Sequence, residues 1–269
     1  MENRDMLNKK LLTTAVTAAL LAGTGFAQAE EKLQETIVTG DTLVEGFKIS
    51  ANVALTSDYK FRGISQSNQD GALQGGFDAE FGPGFYVGTW GSTVNFDTNG
   101  DNGGCCNGSL EVDYYAGWAN SIGDTDFGID IGFIYYSYPG DNDTDADYGE
   151  VYVSSSWKDF TLGVHYSDDY YNGTDEFWYT YGDYSTTLPW SWTWNMVLSL
   201  HAGYNFIEEN EGFLSSDEDG YTDYSVSLTK TLWDVDWTVA YTGSDLDDDD
   251  LWGYDWGDNK AVFSMSKSF

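Results

Sequence analysis

A period of two runs through this sequence from Phe47 to its end, and the runs are long. Ile49, Ala51, Val53 and Leu55 alternate with Lys48, Ser50 and Asn52. Leu110, Val112, Tyr114, Ala116 and Trp118 alternate with Glu111, Asp113, Tyr115 and Gly117. Phe127, Ile129, Ile131, Phe133 and Tyr135 alternate with Asp126, Gly128, Asp130 and Gly132. Such alternation marks strands with one apolar and one wet face. A soluble sandwich would turn the apolar faces inward, and an outer-membrane barrel would turn them to lipid. Length separates the two. Strands of soluble sheets average about 5–6 residues, whereas a tilted membrane-crossing strand needs about 9–11. The runs here are of the second kind, and their polar faces carry bare carboxylates that suit a lumen better than a dry core.

The expected fold is therefore all-β: a transmembrane antiparallel β-barrel of about twelve strands, with short periplasmic turns and long acidic outer loops. The strands are predicted over 47–59, 71–81, 84–94, 109–119, 125–138, 148–157, 159–170, 174–184, 190–206, 221–229, 235–243 and 259–269. Gly82-Pro83, Lys158-Asp159 and Lys230 to Asp234 make short connections, while 60–70, 95–108, 139–147, 206–220 and 244–258 are long. That alternation of turn and loop is a barrel habit, and an even strand count leaves both ends in the periplasm. Trp118, Trp157, Phe160, Trp237 and Phe269 fall at the periplasmic ends; Tyr59, Tyr135, Tyr166, Tyr204 and Tyr241 fall near the outer ends. Amphipathic rings favour headgroup level. The last strand ends on Phe269, and outer-membrane barrels commonly end in such an aromatic.

The first 29 residues read as a cleaved signal peptide: Lys9-Lys10, an apolar stretch from Leu11 to Ala22, and Ala27-Gln28-Ala29 as the cleavage site. Residues 30–46 read as a flexible periplasmic leader, and 47–269 as the barrel. The expected location is the outer membrane of a Gram-negative bacterium. Lipid, lipopolysaccharide and the barrel-assembly machinery are the expected partners, and an oligomer is compatible.

Charge narrows the function. The 269 residues hold 45 Asp and Glu against 11 Lys and Arg, for a net charge of −34. No basic face exists to hold phosphates, so nucleic acid is a poor partner. The acids concentrate in outer loops, including Asp141, Asp143, Asp145 and the run Asp247, Asp248, Asp249, Asp250. These are candidates for weak binding of Ca2+ or Mg2+, with no other cofactor expected. Asp141 to Asp145 has the opening spacing of a calcium loop, but Ala146 stands where that loop needs Gly and Tyr152 where it needs Glu. Parity places Asp78, Glu80, Glu111, Asp113, Asp130 and Glu150 on the lumen side. Arg62, in the first outer loop, is expected to fold inward and pair with a lumen carboxylate such as Asp78. A lumen of this sign favours cations.

An enzyme is the weaker reading. His165 and His201 are the sequence's two histidines, beside Ser167 and Ser199, and no nucleophile motif accompanies them. Cys105-Cys106 are adjacent in an outer loop and stiffen it at most.

Several blocks together resemble the TorF-type porin family of proteobacterial outer-membrane barrels. They include Ser50 to Tyr59, Phe61-Arg62-Gly63-Ile64-Ser65-Gln66-Ser67, Ala72 to Phe77 and Gly84 to Ser92. Tyr135 to Pro139 and Tyr148 to Tyr152 continue them. The resemblance implies an outer-membrane barrel and channel, and carries over no substrate or site residue. With the charge pattern, the expected function is passive diffusion of small hydrophilic solutes or cations. A non-conducting structural or ion-binding barrel is the first alternative, and a barrel enzyme using His165 or His201 the second.

Overall fold

A computed structural model describes residues 47–96, 109–140, 146–207 and 213–269. The predicted signal peptide, the leader, Cys105-Cys106 and the candidate ion ligands Asp141, Asp143 and Asp145 lie outside the described residues.

The strands in chain order are β1 (Phe47–Thr56), β2 (Lys60–Phe61), β3 (Ile64–Ser65), β4 (Ala72–Phe81), β5 (Phe85–Thr93), β6 (Leu110–Ser121) and β7 (Phe127–Ser137). They continue as β8 (Tyr148–Trp157), β9 (Phe160–Ser167), β10 (Phe177–Thr187), β11 (Val197–Ile207), β12 (Gly220–Leu232), β13 (Val235–Ser244) and β14 (Lys260–Ser268). All but β2 and β3 form one closed antiparallel barrel of twelve strands, in which β1 lies between β4 and β14. The predicted strands all exist, with shifted ends.

The polarity of this barrel is inverted relative to a soluble core. On β8, Tyr148, Glu150, Tyr152 and Ser154 are buried, while Val151 and Val153 face out. Ile49, Phe77, Ile131, Leu162 and Phe263 are among many large apolar side chains left more than half exposed. Glu111, Asp130, Glu150 and Asn205 lie inside. An apolar belt outside and a polar filling inside is the arrangement of a membrane-spanning barrel, where lipid covers the belt. Among the described residues no helix is long and apolar enough to cross a membrane.

Glycines admit aromatic rings to the inner wall. A Cβ at Gly117 would stand 2.2 Å from the Tyr86 hydroxyl, and one at Gly163 would stand 2.3 Å from the Tyr181 ring. Gly88 with Tyr115, Gly132 with Tyr152 and Gly203 with Tyr179 repeat the arrangement. In each pair the ring lies over a neighbouring strand's bare backbone, the aromatic cover that strand glycines invite.

Three expectations need correction. Residues 190–196 were expected to open the ninth strand, but they form a turn with a short 3-10 helix at Ser191–Thr193, and β11 starts at Val197. Pro189 explains the delay, because proline offers no N–H to a ladder. Trp190, Trp192 and Trp194 mimic strand alternation, yet all three are exposed. Tyr59 is not in the outer girdle; it is buried inside, with its hydroxyl 3.1 Å from Glu111. The first outer loop is not irregular throughout. Its β2–β3 hairpin turns at Arg62 (φ 46) and Gly63 (φ 80) and inserts into the outer half of the lumen. Two successive positive φ values are the mark of a tight two-residue hairpin turn. The same geometry closes β12 to β13 at Trp233 (φ 56) and Asp234 (φ 58).

Candidate functional site

The hairpin carries Arg62 to the inside of the barrel. Left-handed backbone at a non-glycine residue costs about 1–2 kcal/mol, so something must hold Arg62 in place. Glu150, inward-facing on β8, does so. Its two oxygens accept from the guanidinium at 2.7 and 2.8 Å, a bidentate fork. Arg62 is 2% exposed and Glu150 0%. From the other side, the Tyr136 hydroxyl donates to Glu150 Oε2 at 3.3 Å, and His165 Nδ1 lies 2.9 Å from the same oxygen.

Aromatic faces enclose the guanidinium. Its carbon lies 4.3 Å from the Tyr179 ring centre, 4.7 Å from Phe61 and 5.0 Å from Phe177. Tyr170, in the loop between β9 and β10, stacks on Phe177 at 3.8 Å and completes the wall. A desolvated cation over such rings gains further attraction. At this level Arg62, Glu150, His165, Phe177 and Tyr179 are all buried.

Other inward acids have separate partners. Asp130 accepts from the Tyr86 hydroxyl at 2.7 Å, and Tyr86 also meets Tyr152. Asp78 accepts from Tyr115. Arg62 folds inward and pairs with an inward carboxylate, but that carboxylate is Glu150 on β8 and not Asp78, the example expected. Parity shows which face a residue takes and not its position around the barrel. Glu80 forms a half-exposed pair with Lys48 at 3.3 Å. Glu111 and Asp113 lie one above the other on β6, both buried. Glu111 Oε2 and Asp113 Oδ1 have no hydrogen-bond partner among the described residues.

A second polar group surrounds His201. Asp183 lies 2.6 Å from its Nδ1, and Asp223 2.9 Å from its Nε2. Tyr179 Oη is 2.8 Å from Nε2, and Asn205 donates to Asp223 at 2.9 Å. Neither His201 nor His165 hydrogen-bonds a serine among the described residues: Ser199 pairs with Ser185 instead, and the Ser167 hydroxyl has no partner. Among the described residues neither histidine makes the serine–histidine contact that a serine nucleophile needs.

The outer mouth is tied by its loops. Lys60 Nζ donates to the carbonyls of Trp256 at 2.6 Å, Asp258 at 2.9 Å and Gly63 at 3.3 Å, joining the first loop to the last. Trp256 Nε1 donates to Asn68 at 2.9 Å. Asp255 holds Lys260 at 3.1 Å and accepts from Gln69 at 2.6 Å. Of the candidate ion ligands in this loop, Asp247 and Asp250 form a capping box on the short helix Asp248–Leu251, with the Asp247 N–H donating to Asp250 at 2.8 Å. Among the described residues, no three His, Cys, Asp or Glu side chains converge to hold a metal.

Burial lowers the Lys60 ammonium from its ordinary 10.5 to about 8, against the pull of Asp58. The fold thus disfavours the charged form. That cost is fully present below about 8 and is relieved as pH rises toward 10.5. The expected outcome is a urea midpoint that rises between pH 8 and 10 in the natural protein relative to Lys60→Met, measured in detergent by tryptophan fluorescence. Parallel curves would show that Lys60 does not titrate in this range.

Arg62 and Glu150, both expected to face inward, are buried inside the barrel, and the seat around them has no sequence signal of its own. Phe177 and Tyr179 sit in a run, Phe177 to Tyr181, whose aromatics occupy both faces, so alternation did not single out the inner ones. Tyr170 sits in a loop and has no period to read.

A closed antiparallel barrel with an apolar outer belt and a polar, carboxylate-lined interior defines a transmembrane barrel of the outer-membrane class. The chain belongs to the family described as bacterial protein of unknown function (Gcw_chp), whose model matches residues 41–269. No curated protein sequence matches the chain. Among solved structures, the chain is similar to a KdgM porin at 11% identity and a TM-score of 0.47, covering 82% of this chain and 98% of that one. It is similar to a NanC porin at 13% identity and a TM-score of 0.47, covering 81% and 98%. The outer membrane protein opdK from Pseudomonas aeruginosa is similar at 11% identity and a TM-score of 0.39, covering 85% and 68%. At these values the likeness is one of barrel fold alone.

Proposed function

We propose that this chain is an outer-membrane porin for small hydrophilic solutes, with cations preferred over anions, and that passage is controlled where Arg62 meets Glu150. One observation carries the reading: a barrel lined with carboxylates, into which an outer loop inserts a single guanidinium. Acid at the mouth and inside raises the local concentration of cations and repels anions. The acidic outer loops add to this field and give Ca2+ or Mg2+ a means of bridging the barrel to anionic lipopolysaccharide. The resemblance to TorF-type porins agrees with a channel, as does a signal peptide for export ending at Ala29.

The burial of Arg62 and Glu150 inside the barrel favours a second reading, a non-conducting barrel that acts through its loops. One experiment separates the two. The purified protein is reconstituted in a planar bilayer with a salt gradient. Small conductance steps with a cation-selective reversal potential are expected. A flat trace in every salt favours the non-conducting barrel, and an anion-selective reversal potential overturns the charge argument.

A further inference from the structure

The seat of Arg62 has the makings of a ligand site. The sequence contains two arginines, Arg4 and Arg62, so the barrel region has one. It occupies a place fitted to its chemistry in three respects. Both Glu150 oxygens face one planar donor group, at 2.7 and 2.8 Å. Tyr136 and His165 hold that carboxylate from behind, and His165 Nε2 is buried with no hydrogen-bond partner among the described residues. Tyr179 and Phe177 supply aromatic faces within 5.0 Å of the guanidinium carbon. A fork for two parallel N–H bonds together with flat aromatic walls selects guanidinium over a spherical ammonium.

The seat does not depend on the hairpin that fills it. Glu150, Tyr136, His165, Phe177 and Tyr179 all belong to barrel strands β7 to β10. Arg62 and Phe61 come from the hairpin. Both Glu150 oxygens are taken by Arg62 and the pair is buried, so a solute that reaches Glu150 must displace the Arg62 side chain. A neutral or anionic solute that displaced it would leave a desolvated carboxylate bare, which is strongly unfavourable. A solute carrying its own guanidinium would replace both the fork and the stacking.

We infer that Glu150, Phe177 and Tyr179 form a recognition site for guanidinium-bearing solutes, and that the first outer loop occupies it with its own arginine until such a solute takes its place. The transport meaning of this site rests on the porin reading above; its ligand chemistry does not. The test removes the tethered occupant. Arg62→Gly suits the left-handed backbone at this position (φ 46), so the turn keeps its shape. The variant in detergent, with folding verified by heat-modifiable electrophoretic migration, is titrated calorimetrically with methylguanidine and separately with methylammonium.

Saturable methylguanidine binding is expected in Arg62→Gly, about ten-fold or more weaker in the natural protein and in the Arg62→Gly/Glu150→Gln double variant. Methylammonium should bind Arg62→Gly about ten-fold more weakly than methylguanidine. A folded Arg62→Gly barrel that binds neither cation, or both equally, overturns the inference. If Arg62→Gly does not fold, Arg62→Lys keeps a charge opposite Glu150 without the fork. Methylguanidine should then bind more tightly than to the natural protein, and no binding overturns the inference. A barrel that binds methylguanidine and passes no current keeps the site and overturns the channel. A barrel that conducts and binds no methylguanidine keeps the channel and overturns the site.

Discussion

Replacing Glu150 with alanine is expected to destabilise the barrel by about 3–5 kcal/mol. The loss comes less from the missing attraction than from what remains. Arg62 is 2% exposed, and without Glu150 its guanidinium has no carboxylate within hydrogen-bonding reach among the described residues. It must stay buried and uncompensated, or leave the lumen and give up Tyr179, Phe177 and the hairpin turn. Urea titration in detergent micelles, followed by tryptophan fluorescence, measures the change. Removing both charges, as in Arg62→Met/Glu150→Leu, should restore most of the loss, because two apolar side chains leave no bare ion behind. Equal stability of the single and double variants would show that the pair is exposed to water and not sealed in the lumen.

The second large effect lies on the opposite face of the wall. Ile131, in the middle of β7, is 51% exposed in the protein alone. In a membrane that surface meets acyl chains, so Ile131→Lys should cost about 2–4 kcal/mol in lipid vesicles. Phe127, the first residue of the same strand, is 38% exposed and lies toward the headgroups. Phe127→Lys should cost only about 0–1 kcal/mol, because a long stem can carry its amine to water. A depth profile of this kind distinguishes a lipid-facing belt from an apolar patch that another protein covers. Equal costs at the two positions would count against membrane insertion in the orientation described.

Much of this fold was legible because polarity alternates at the same period as the strand. Val151 and Val153 against Glu150 and Tyr152 already state which way β8 faces, and the structure agrees. Lys158-Asp159 was recognisable as a turn, and Lys158 takes the positive φ that such a turn needs. The site was less legible for geometric reasons. Strands of two residues, such as Lys60–Phe61 and Ile64–Ser65, are too short to show a period. Parity tells inside from outside but says nothing about angle around the barrel. Any inward acid looked as good for Arg62 as another, and Asp78 was the nearer guess along the chain. The true partner, Glu150, is 88 residues away in sequence. Trp190 to Trp194 misled in the opposite way, with a strand-like rhythm in a segment that Pro189 had already separated from the ladder.

The glycine–tyrosine pairs of the inner wall bear on how the chain avoids an error that polarity cannot detect. A slip of one residue between neighbouring strands turns every side chain to the wrong face and is rejected at once. A slip of two residues keeps every apolar side chain toward lipid and forms nearly as many backbone hydrogen bonds. The rings discriminate where the ladder does not. Displaced by two residues, Tyr86 no longer lies over Gly117, nor Tyr152 over Gly132, nor Tyr181 over Gly163. Each ring would then meet a side chain where it now meets none. The pairs work as notches on a key, and they distinguish one assembled barrel from its near copies.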